Sequence, residues 1–237
     1  MLSDDDVERI LVICAHPDDV DFGAAGTIAI WTDRGIDVTY CIVTDGDAGG
    51  FDPTIARDEI GSIRRREQTA AAKEVGVDNV VFLGYPDGLL QPTLELRRDL
   101  ARVIRQVRPQ RVVTQCPERN YQRVFGSHPD HLAAGEAALC AVYPDARNPF
   151  TFTELAGEGL EAWKVTEVWM MASPETDHAV DITDQFERKI RALQCHESQH
   201  PEPHALEERI RGWGMAIAAR HGLPADRLAE AFQVVPT

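Results

Sequence analysis

The amino-acid sequence predicts an α/β fold in which helices cover both faces of a mostly parallel central sheet. The first observation is a series of five short apolar segments rich in β-branched residues, the composition of buried parallel strands. These segments are ILVICA (10–15), VTYCIV (38–43), NVVFL (79–83), RVVTQ (111–115) and VTEVWMMA (165–172). The second observation is that helical patterns separate the segments, and regular strand–helix alternation favours a parallel sheet.

The intervening helices are identified by their apolar spacing. One helical stripe is formed by Leu96, Leu100, Val103 and Val107. Further helices are expected over 62–75, 129–142, 185–196 and 204–220. The segment 143–164 is interpreted as a long loop or a small excursion from the core. Because no internal repeat or low-complexity linker divides the chain, we expect residues 1–237 to form a single domain.

Composition and charge exclude several classes of function. The chain has 237 residues, and 24 Lys and Arg against 39 Asp and Glu leave a formal net charge of −15. A surface this acidic repels nucleic acid and anionic lipid, so neither is expected as a partner. No apolar run near the start approaches the roughly 20 residues that span a bilayer. The acidic start MLSDDDVERI also lacks the basic region of a signal peptide.

The cysteines indicate the cellular compartment. Five cysteines at wide spacing, with no C-x-x-C pair, are typical of free thiols. A disulfide framework or a zinc–thiolate site would need a different pattern. We therefore expect a cytoplasmic protein.

Two segments rich in metal-binding residue types follow predicted strands. HPDD (16–19) comes directly after the first strand, and HPDH (128–131) follows the fourth strand by about a dozen residues. In an open α/β sheet, ligands bind beyond the carboxyl ends of the strands. The first and last residues of each segment are three positions apart, which places them on one face of a helical turn. Side chains of both segments can therefore face one cavity.

Two histidines and one carboxylate with an open position form the ligand set of a catalytic zinc ion. Such an ion lowers the pKa of water, and a neighbouring carboxylate takes the proton. Asp18 stands beside Asp19, so one can bind metal while the other serves as base. Imidazole favours Zn²⁺ or another divalent first-row metal such as Fe²⁺. The alternative is a pair of proline turns whose His and Asp residues cap helices, but the repetition at two strand ends favours a metal site.

The paired segments resemble the motifs of the LmbE-like (PIG-L) family of metal-dependent N-deacetylases. Other stretches agree with the family in order and spacing, namely TDGDAGG (44–50), R-x-x-E (64–67) leading into AAA (70–72), LGYPDG (83–88), KIRAL (189–193) and HESQ (196–199). The resemblance covers nearly the whole chain and implies a Rossmann-like fold. It also implies hydrolysis of the acetamide of an N-acetylglucosaminyl compound, or of another amide in a thiol conjugate or natural product.

The resemblance assigns roles to the residues of the two segments. It implies His16, Asp19 and His131 as metal ligands and Asp18 as the general base. It implies that His128 stabilises the oxyanion and assists the leaving amine. We expect His128 to work best in its protonated form.

The resemblance also implies roles for four surrounding residues. Asp130 would orient His128. Arg64 and Asp87 would hold hydroxyl groups of a sugar, and His196 would line the site. The substrate expected from these roles is small and polar.

The sequence departs from the family pattern at two positions. Val20 stands where the motif usually has Glu, and Asp21 follows it. Gly126 stands two residues before His128, where mycothiol-type deacetylases have Tyr. The hydrogen bonds around the site are therefore expected to differ, unless Tyr121 on the same loop supplies the missing phenol. The mycothiol precursor is accordingly a less favoured substrate.

Two other classes of function compete with an N-deacetylase. A non-haem iron enzyme also uses two histidines and one carboxylate, but such sites usually stand on β-barrels. A nucleotide-binding module without catalysis would hold no metal, and GAAG (23–26) lacks the G-x-G-x-x-G spacing that it needs. Family members are often homo-oligomers, so self-association is a further expectation.

Overall fold

The computed structural model describes residues 1–200 and 203–237, apart from the side chains of residues 125, 203 and 204, and a seven-stranded sheet runs through its centre. The strands are β1 (Arg9–Cys14), β2 (Asp37–Thr44), β3 (Asn79–Tyr85), β4 (Arg111–Gln115), β5 (Glu167–Met171), β6 (His178–Asp181) and β7 (Ala229–Pro236). Their order across the sheet is β3-β2-β1-β4-β5-β7-β6. The strands from β1 to β5 are parallel, which confirms the mostly parallel sheet.

The five predicted strand segments form the five parallel strands, and β1 illustrates why their pattern is uniformly apolar. Ile10 and Val12 lie in the core on one face of the sheet. Leu11 and Ile13 lie in the core on the other face. A strand buried on both faces needs apolar residues at successive positions rather than at alternate ones.

The antiparallel edge formed by β6 and β7 is absent from the sequence-based prediction. β7 pairs antiparallel with β5 on one side and with β6 on the other. β6 has only four residues, three half-buried and one exposed, so its apolar pattern is weak. These pairings also join segments that are far apart in the chain, and a local sequence pattern cannot predict which distant segments pair.

Helices cover both faces of the sheet. They are α1 (Asp19–Asp33), α2 (Arg57–Glu74), α3 (Leu94–Val107), α4 (Pro129–Cys140), α5 (Thr153–Gly157), α6 (Phe186–Gln194) and α7 (Pro203–Arg220). Five of them match the predicted helices, α5 lies within the expected excursion 143–164, and α1 was not predicted as a helix. A Cβ on Gly23 of α1 would lie 2.5 Å from Sδ of Met171. Glycine in α1 therefore serves close packing, which weakens the helical signal.

The core is divided by the sheet. α3 and α4 pack on one face, where Leu96 and Leu100 of the predicted stripe are fully buried. α1, α2 and α6 pack on the other face. α6 and α7 enclose a smaller cluster around Phe186 and Ile210. Among the described residues, no helix is both long enough and apolar enough to cross a membrane.

The carboxyl ends of β1 and β4 lie side by side near the centre of the sheet. From β1 the strand order runs outward through β2 and β3, and from β4 it runs the opposite way to β5. Such a reversal leaves a crevice above the two strands, where α/β proteins bind ligands. The HPDD and HPDH segments follow these two strands, so the topology brings them together.

α4 approaches β4 closely at Gly135, where a Cβ atom would overlap the carbonyl oxygen of Gln115. We predict that Gly135→Ala destabilises the protein by about 1–3 kcal/mol, because the added atom meets backbone. Equilibrium unfolding in urea measures the change. Gly212→Ala in α7, where nothing lies within 4 Å of a Cβ, is the matched control and should gain up to about 1 kcal/mol. A gain in both variants would mean that α4 is free to shift.

Candidate active site

The HPDD segment forms the turn between β1 and α1. Asp18 has a left-handed backbone with a φ of 87°, which is strained for a residue with a Cβ atom. Asp19 begins α1, and its Oδ2 accepts a hydrogen bond from the backbone amide of His16 at 2.7 Å. The turn thus places the two neighbouring carboxylates in different surroundings.

The HPDH segment begins α4. His128 is the N-cap, and its Nδ1 accepts a hydrogen bond from the backbone amide of Asp130 at 3.2 Å. Pro129 takes the first helical position, where its missing amide hydrogen would have no partner in the helix. His131 follows on the first turn. Helix capping and a metal site are therefore compatible in this segment, although the sequence presents them as alternatives.

The structure brings His16, Asp19 and His131 together. Nδ1 of His16 lies 3.2 Å from Nε2 of His131 and 3.3 Å from Oδ2 of Asp19. Nε2 of His131 lies 2.9 Å from Oδ1 of Asp19. Ligand atoms about 2.1 Å from a tetrahedral zinc ion lie about 3.4 Å from one another. The three side chains therefore fit a divalent metal ion with little movement. We refer to His16, Asp19 and His131 as the ligand cluster.

The other ring nitrogen of His16 faces two more carboxylates. Nε2 lies 3.0 Å from Oδ1 of Asp87 and 3.3 Å from Oδ2 of Asp130. Metal-binding histidines commonly donate their second ring nitrogen to a carboxylate, which fixes the ring. Burial lowers the pKa of His16, but Asp19, Asp130 and Asp87 outweigh it and raise this pKa to about 12. The site therefore strongly favours positive charge, as a cation site must.

Asp130 has a different partner from the expected one. Its carboxylate accepts hydrogen bonds from the backbone amides of Gly88 at 2.7 Å and Leu90 at 3.2 Å, and it contacts His16. Asp130 contacts His128 through its backbone amide, which donates a hydrogen bond to Nδ1 of His128. The carboxylate thus positions His16 and anchors the loop after β3, whereas the resemblance implied that it orients His128.

His128 faces the same space as the ligand cluster. Ring nitrogens of His16, His128 and His131 lie within 4.8 Å of one another. Burial, and charge on the other two histidines, lower the pKa of His128. A neutral histidine whose Nδ1 accepts a hydrogen bond carries its proton on Nε2. His128 can thus donate a hydrogen bond while neutral, which differs from the expectation that it acts protonated.

Asp18 lies beside the ligand cluster and has its own partners. Nη2 of Arg64 donates to Oδ2 of Asp18 at 3.1 Å, and Arg64 also donates to the carbonyls of Pro17 and Gly46. Burial raises the pKa of Asp18 to about 6, although the Arg64 guanidinium opposes this rise. A carboxylate with a pKa near 6 is suited to accept a proton from water at neutral pH.

The residues that the resemblance assigns to substrate are largely engaged with the protein. Arg64 and Asp87 are 4% and 8% exposed and contact Asp18 and His16, respectively. His196 is fully buried, and its Nε2 bonds to Oδ2 of Asp21 at 2.8 Å. The structure thus does not place His196 at the surface of the cavity. The substrate contacts of all three stay predictions.

The two departures from the family pattern have structural counterparts. Val20 is fully buried in the apolar core against β1. Asp21 accepts from Nε2 of Gln68 at 2.9 Å, and Oε1 of Gln68 accepts from the backbone amide of Asp18 at 2.8 Å. Asp21 therefore holds Gln68 in place, and Gln68 in turn holds the strained turn at Asp18. Tyr121 is 83% exposed and supplies no phenol to the cluster.

Two glutamines at the site escape the sequence analysis. Gln115 donates to Oδ2 of Asp19 at 2.8 Å and accepts from the backbone amide of Ala15 at 2.9 Å. Gln68 accepts a hydrogen bond from the backbone amide of Asp18. Gln115 could have been found from its position at the carboxyl end of β4, whereas Gln68 lies mid-helix in α2 with no distinguishing signal.

The parallel sheet and the His/Asp cluster at its switch point define an α/β protein with a site suited to a divalent metal ion. A family comparison makes this specific. Residues 11–142 match the PIG-L family, described as GlcNAc-PI de-N-acetylase, and the chain belongs to that family. The resemblance found in the sequence is confirmed, and the chain is an N-deacetylase, an amide hydrolase.

Relatives align along most of the chain. Diacetylchitobiose deacetylase of Thermococcus kodakarensis is 34% identical over 98% of this chain and 84% of its own length. Probable N-acetyl-alpha-D-glucosaminyl L-malate deacetylase 2 of Bacillus cereus is 32% identical over 81% of this chain and 83% of its own. The structure of N,N'-diacetylchitobiose deacetylase from Pyrococcus horikoshii with its inhibitor MPG matches with a TM-score of 0.90 at 31% identity, over 98% of this chain and 85% of that one.

We predict that His131→Ala folds but loses most of its bound metal, because one of three ligands is removed. Elemental analysis after dialysis against zinc measures the metal content. His178→Ala is the matched control, since His178 lies on β6 and packs against Trp169. Stoichiometric zinc in His131→Ala would refute its assignment as a ligand.

Proposed function

We propose that the chain is a zinc-dependent hydrolase that removes the N-acetyl group, or a related acyl group, from an N-acetylglucosaminyl-type amide. The observation that carries this proposal is the cluster of His16, Asp19 and His131 with Asp18 beside it. The substrate class is supported by the relatives, whose names specify diacetylchitobiose and N-acetylglucosaminyl malate. An amide of a thiol conjugate or natural product is the alternative substrate.

His16, Asp19 and His131 would hold the metal ion. Two imidazoles and one carboxylate suit Zn²⁺, with Fe²⁺ as the runner-up. When bound, the ion supplies a Lewis acid that activates water and polarises the amide carbonyl. Gln115 and Asp130 support the ligands, because they bond to Asp19 and His16.

Asp18 acts as the general base. In its ionised form it accepts a proton from water while the water oxygen bonds to the amide carbon. Asp18 then gives this proton to the amide nitrogen and the C–N bond breaks. The carboxylic acid formed loses its own proton to the amine, so the products are a carboxylate and a protonated amine. Arg64 and Gln68 hold Asp18 in position through its carboxylate and its backbone amide.

His128 stabilises the negative charge that develops on the amide oxygen. Its Nδ1 is bonded to the Asp130 amide, so Nε2–H is the donor that the neutral ring offers to this oxygen. A fixed donor of this kind lowers the barrier because it needs no reorganisation during the reaction. The lowered pKa of His128 keeps it neutral at pH 7, so it serves as a hydrogen-bond donor.

The remaining expectations are part of the same proposal. Residues 1–237 would work as one deacetylase domain in the cytoplasm. We also propose that the chain forms a homo-oligomer. A net charge of −15 favours a soluble substrate over nucleic acid or anionic membrane. Asp87 and Arg64 would contact sugar hydroxyls in addition to their bonds with His16 and Asp18, and His196 would contribute through Asp21 and Gln68.

We predict that Asp18→Asn retains its metal but loses kcat by about a hundredfold or more, because the amide cannot accept a proton. Release of free amine from an N-acetylglucosamine conjugate measures the rate, alongside elemental analysis of the same sample. Asp226→Asn is the control, since Asp226 is exposed. Loss of metal from Asp18→Asn would instead assign Asp18 as the carboxylate ligand.

The pKa of Asp18 predicts the acid side of the pH profile. The base works ionised, so kcat/KM should rise with pH as Asp18 ionises, at or below about pH 6, because a cation held by the neighbouring residues favours the ionised form. Arg64→Gln removes the charge that holds this pKa down, and the rise should move up by about one pH unit. Arg65→Gln, one residue along and paired with Asp45 instead, should leave it in place. An unmoved rise in Arg64→Gln would show that Asp18 does not control it.

A further inference from the structure

A cavity of about 480 Å³ opens beside the ligand cluster, with Asp18, Asp19 and His131 in its wall. It extends from these residues to the ends of β5 and β7 and to α7. Cavities of about 300–1,000 Å³ accommodate small organic ligands. An acetyl group, with its two carbons, needs only a small part of this space.

The wall away from the cluster is mainly apolar. Its large apolar side chains include Phe22 of α1, Met171 of β5, and Ile210, Trp213 and Ile217 of α7. Met171 and Ile210 are almost fully buried, at 2% and 3% exposure. An apolar group placed there would be removed from water on several sides, which is favourable in proportion to its area.

Two buried charged groups of the wall, Lys189 and Glu230, are paired with each other, and three exposed arginines also line the cavity, namely Arg123, Arg209 and Arg220. Nζ of Lys189 donates to Oε1 of Glu230 and to the carbonyl of Phe22, both at 2.6 Å. The second carboxylate oxygen of Glu230 accepts from the hydroxyl and the amide of Thr27. In the part of the chain that the structure describes, no buried side-chain polar atom without a partner belongs to a residue lining this cavity. The buried part of the wall therefore offers a polar ligand no side-chain atom that lacks a partner, and the arginines lie at the exposed part.

The strand order separates this cavity from the polar side of the site. Asp87 follows β3, and its loop is tied to the loop after β2, where Asp47 accepts from the Asp87 backbone amide. These loops lie on the β2 and β3 side of the cluster. The apolar cavity lies on the β5 and β7 side. The two halves of an amide substrate leave the scissile bond in opposite directions, so a sugar on the polar side directs the acyl group into the cavity.

We propose that this cavity binds the acyl group of the substrate and that the preferred acyl group is an apolar chain longer than acetyl. The proposal rests on the proposed function, since it assigns one half of that amide substrate. The chain runs from the amide carbon at the cluster toward Trp213 and Ile217. The enzyme is then an N-deacylase whose selectivity comes from the walls of α1, β5 and α7.

The first test is a series of N-acylglucosamines from acetyl to hexanoyl, assayed by release of glucosamine from the wild-type protein. Each methylene that enters the cavity should raise kcat/KM by about fourfold. A kcat/KM that is highest for acetyl and falls with each methylene would overturn the proposal while leaving the proposed deacetylase function intact.

The second test fills the cavity. Ile217→Trp should lower the hexanoyl-to-acetyl ratio of kcat/KM by about tenfold or more. Met215→Trp is the matched control, because Met215 is on the same helix but 47% exposed and outside the cavity. It should leave the ratio unchanged. An equal ratio in the wild type and in Ile217→Trp would place the acyl chain elsewhere.

A third test separates the acyl chain from an apolar group on the sugar. The octyl and methyl glycosides of N-acetylglucosamine are compared in the same variants. A preference for the octyl glycoside that Ile217→Trp removes would assign the cavity to the sugar substituent and overturn the acyl assignment. Equal sensitivity of both glycosides to the variant supports the acyl assignment.

Binding of octanoate and acetate by calorimetry tests the cavity without turnover. Octanoate should bind more tightly than acetate to the wild type and to Met215→Trp, but not to Ile217→Trp. Equal binding of the two acids by the wild type would overturn the inference. If no N-acylglucosamine is hydrolysed, the proposed function fails, and this measurement still decides whether the cavity accepts an acyl chain.

Discussion

A single imidazole, His16, joins the two halves of the active site, and the surrounding loops depend on it. One ring nitrogen faces Asp19 and His131, and the other faces Asp87 and Asp130. These partners come from the segments after β1, β3 and β4. Buried carboxylates without positive charge nearby are strongly destabilising. His16 therefore fixes the relative positions of the three loops. It also keeps the surrounding carboxylates close together, as a cation site requires.

The backbone around this imidazole is fixed by side chains remote in sequence. Gln115 bonds to both Asp19 and Ala15, so β4 sets the position of the turn after β1. Gln68 and Asp21 support the same turn from α2 and α1. The proposed base and the proposed ligands are thus held by residues of helices and strands. Such support preserves the geometry that acid–base chemistry needs.

Four of the five parallel strands were predictable because they are almost wholly buried and have a nearly continuous apolar pattern. The edge strand β3 is half-buried, but its segment NVVFL has the same composition. α1 was harder, since Pro17 precedes it and Gly23 and Gly26 lie within it, and both residue types weaken a helical pattern. β6 and β7 were not predictable, because pairing between distant segments, rather than local composition, forms them. In the site, the HPDD and HPDH segments were predictable from their position after strands. The partners of Asp130 and His196 were not, since they depend on which side chains the fold brings against them.

At Asp18, stability and activity favour different residues, because the left-handed backbone is strained for aspartate but the proposed reaction needs its carboxylate. Glycine and asparagine adopt this conformation more readily than aspartate, and neither would place a charge in the buried turn. Strain of this kind costs of order 1–3 kcal/mol. A directed-evolution campaign that selects only for thermal tolerance would therefore tend to replace Asp18, the proposed catalytic base. The same conflict offers a practical marker, because a more heat-resistant homologue with Gly or Asn here would be expected to bind amides without hydrolysing them.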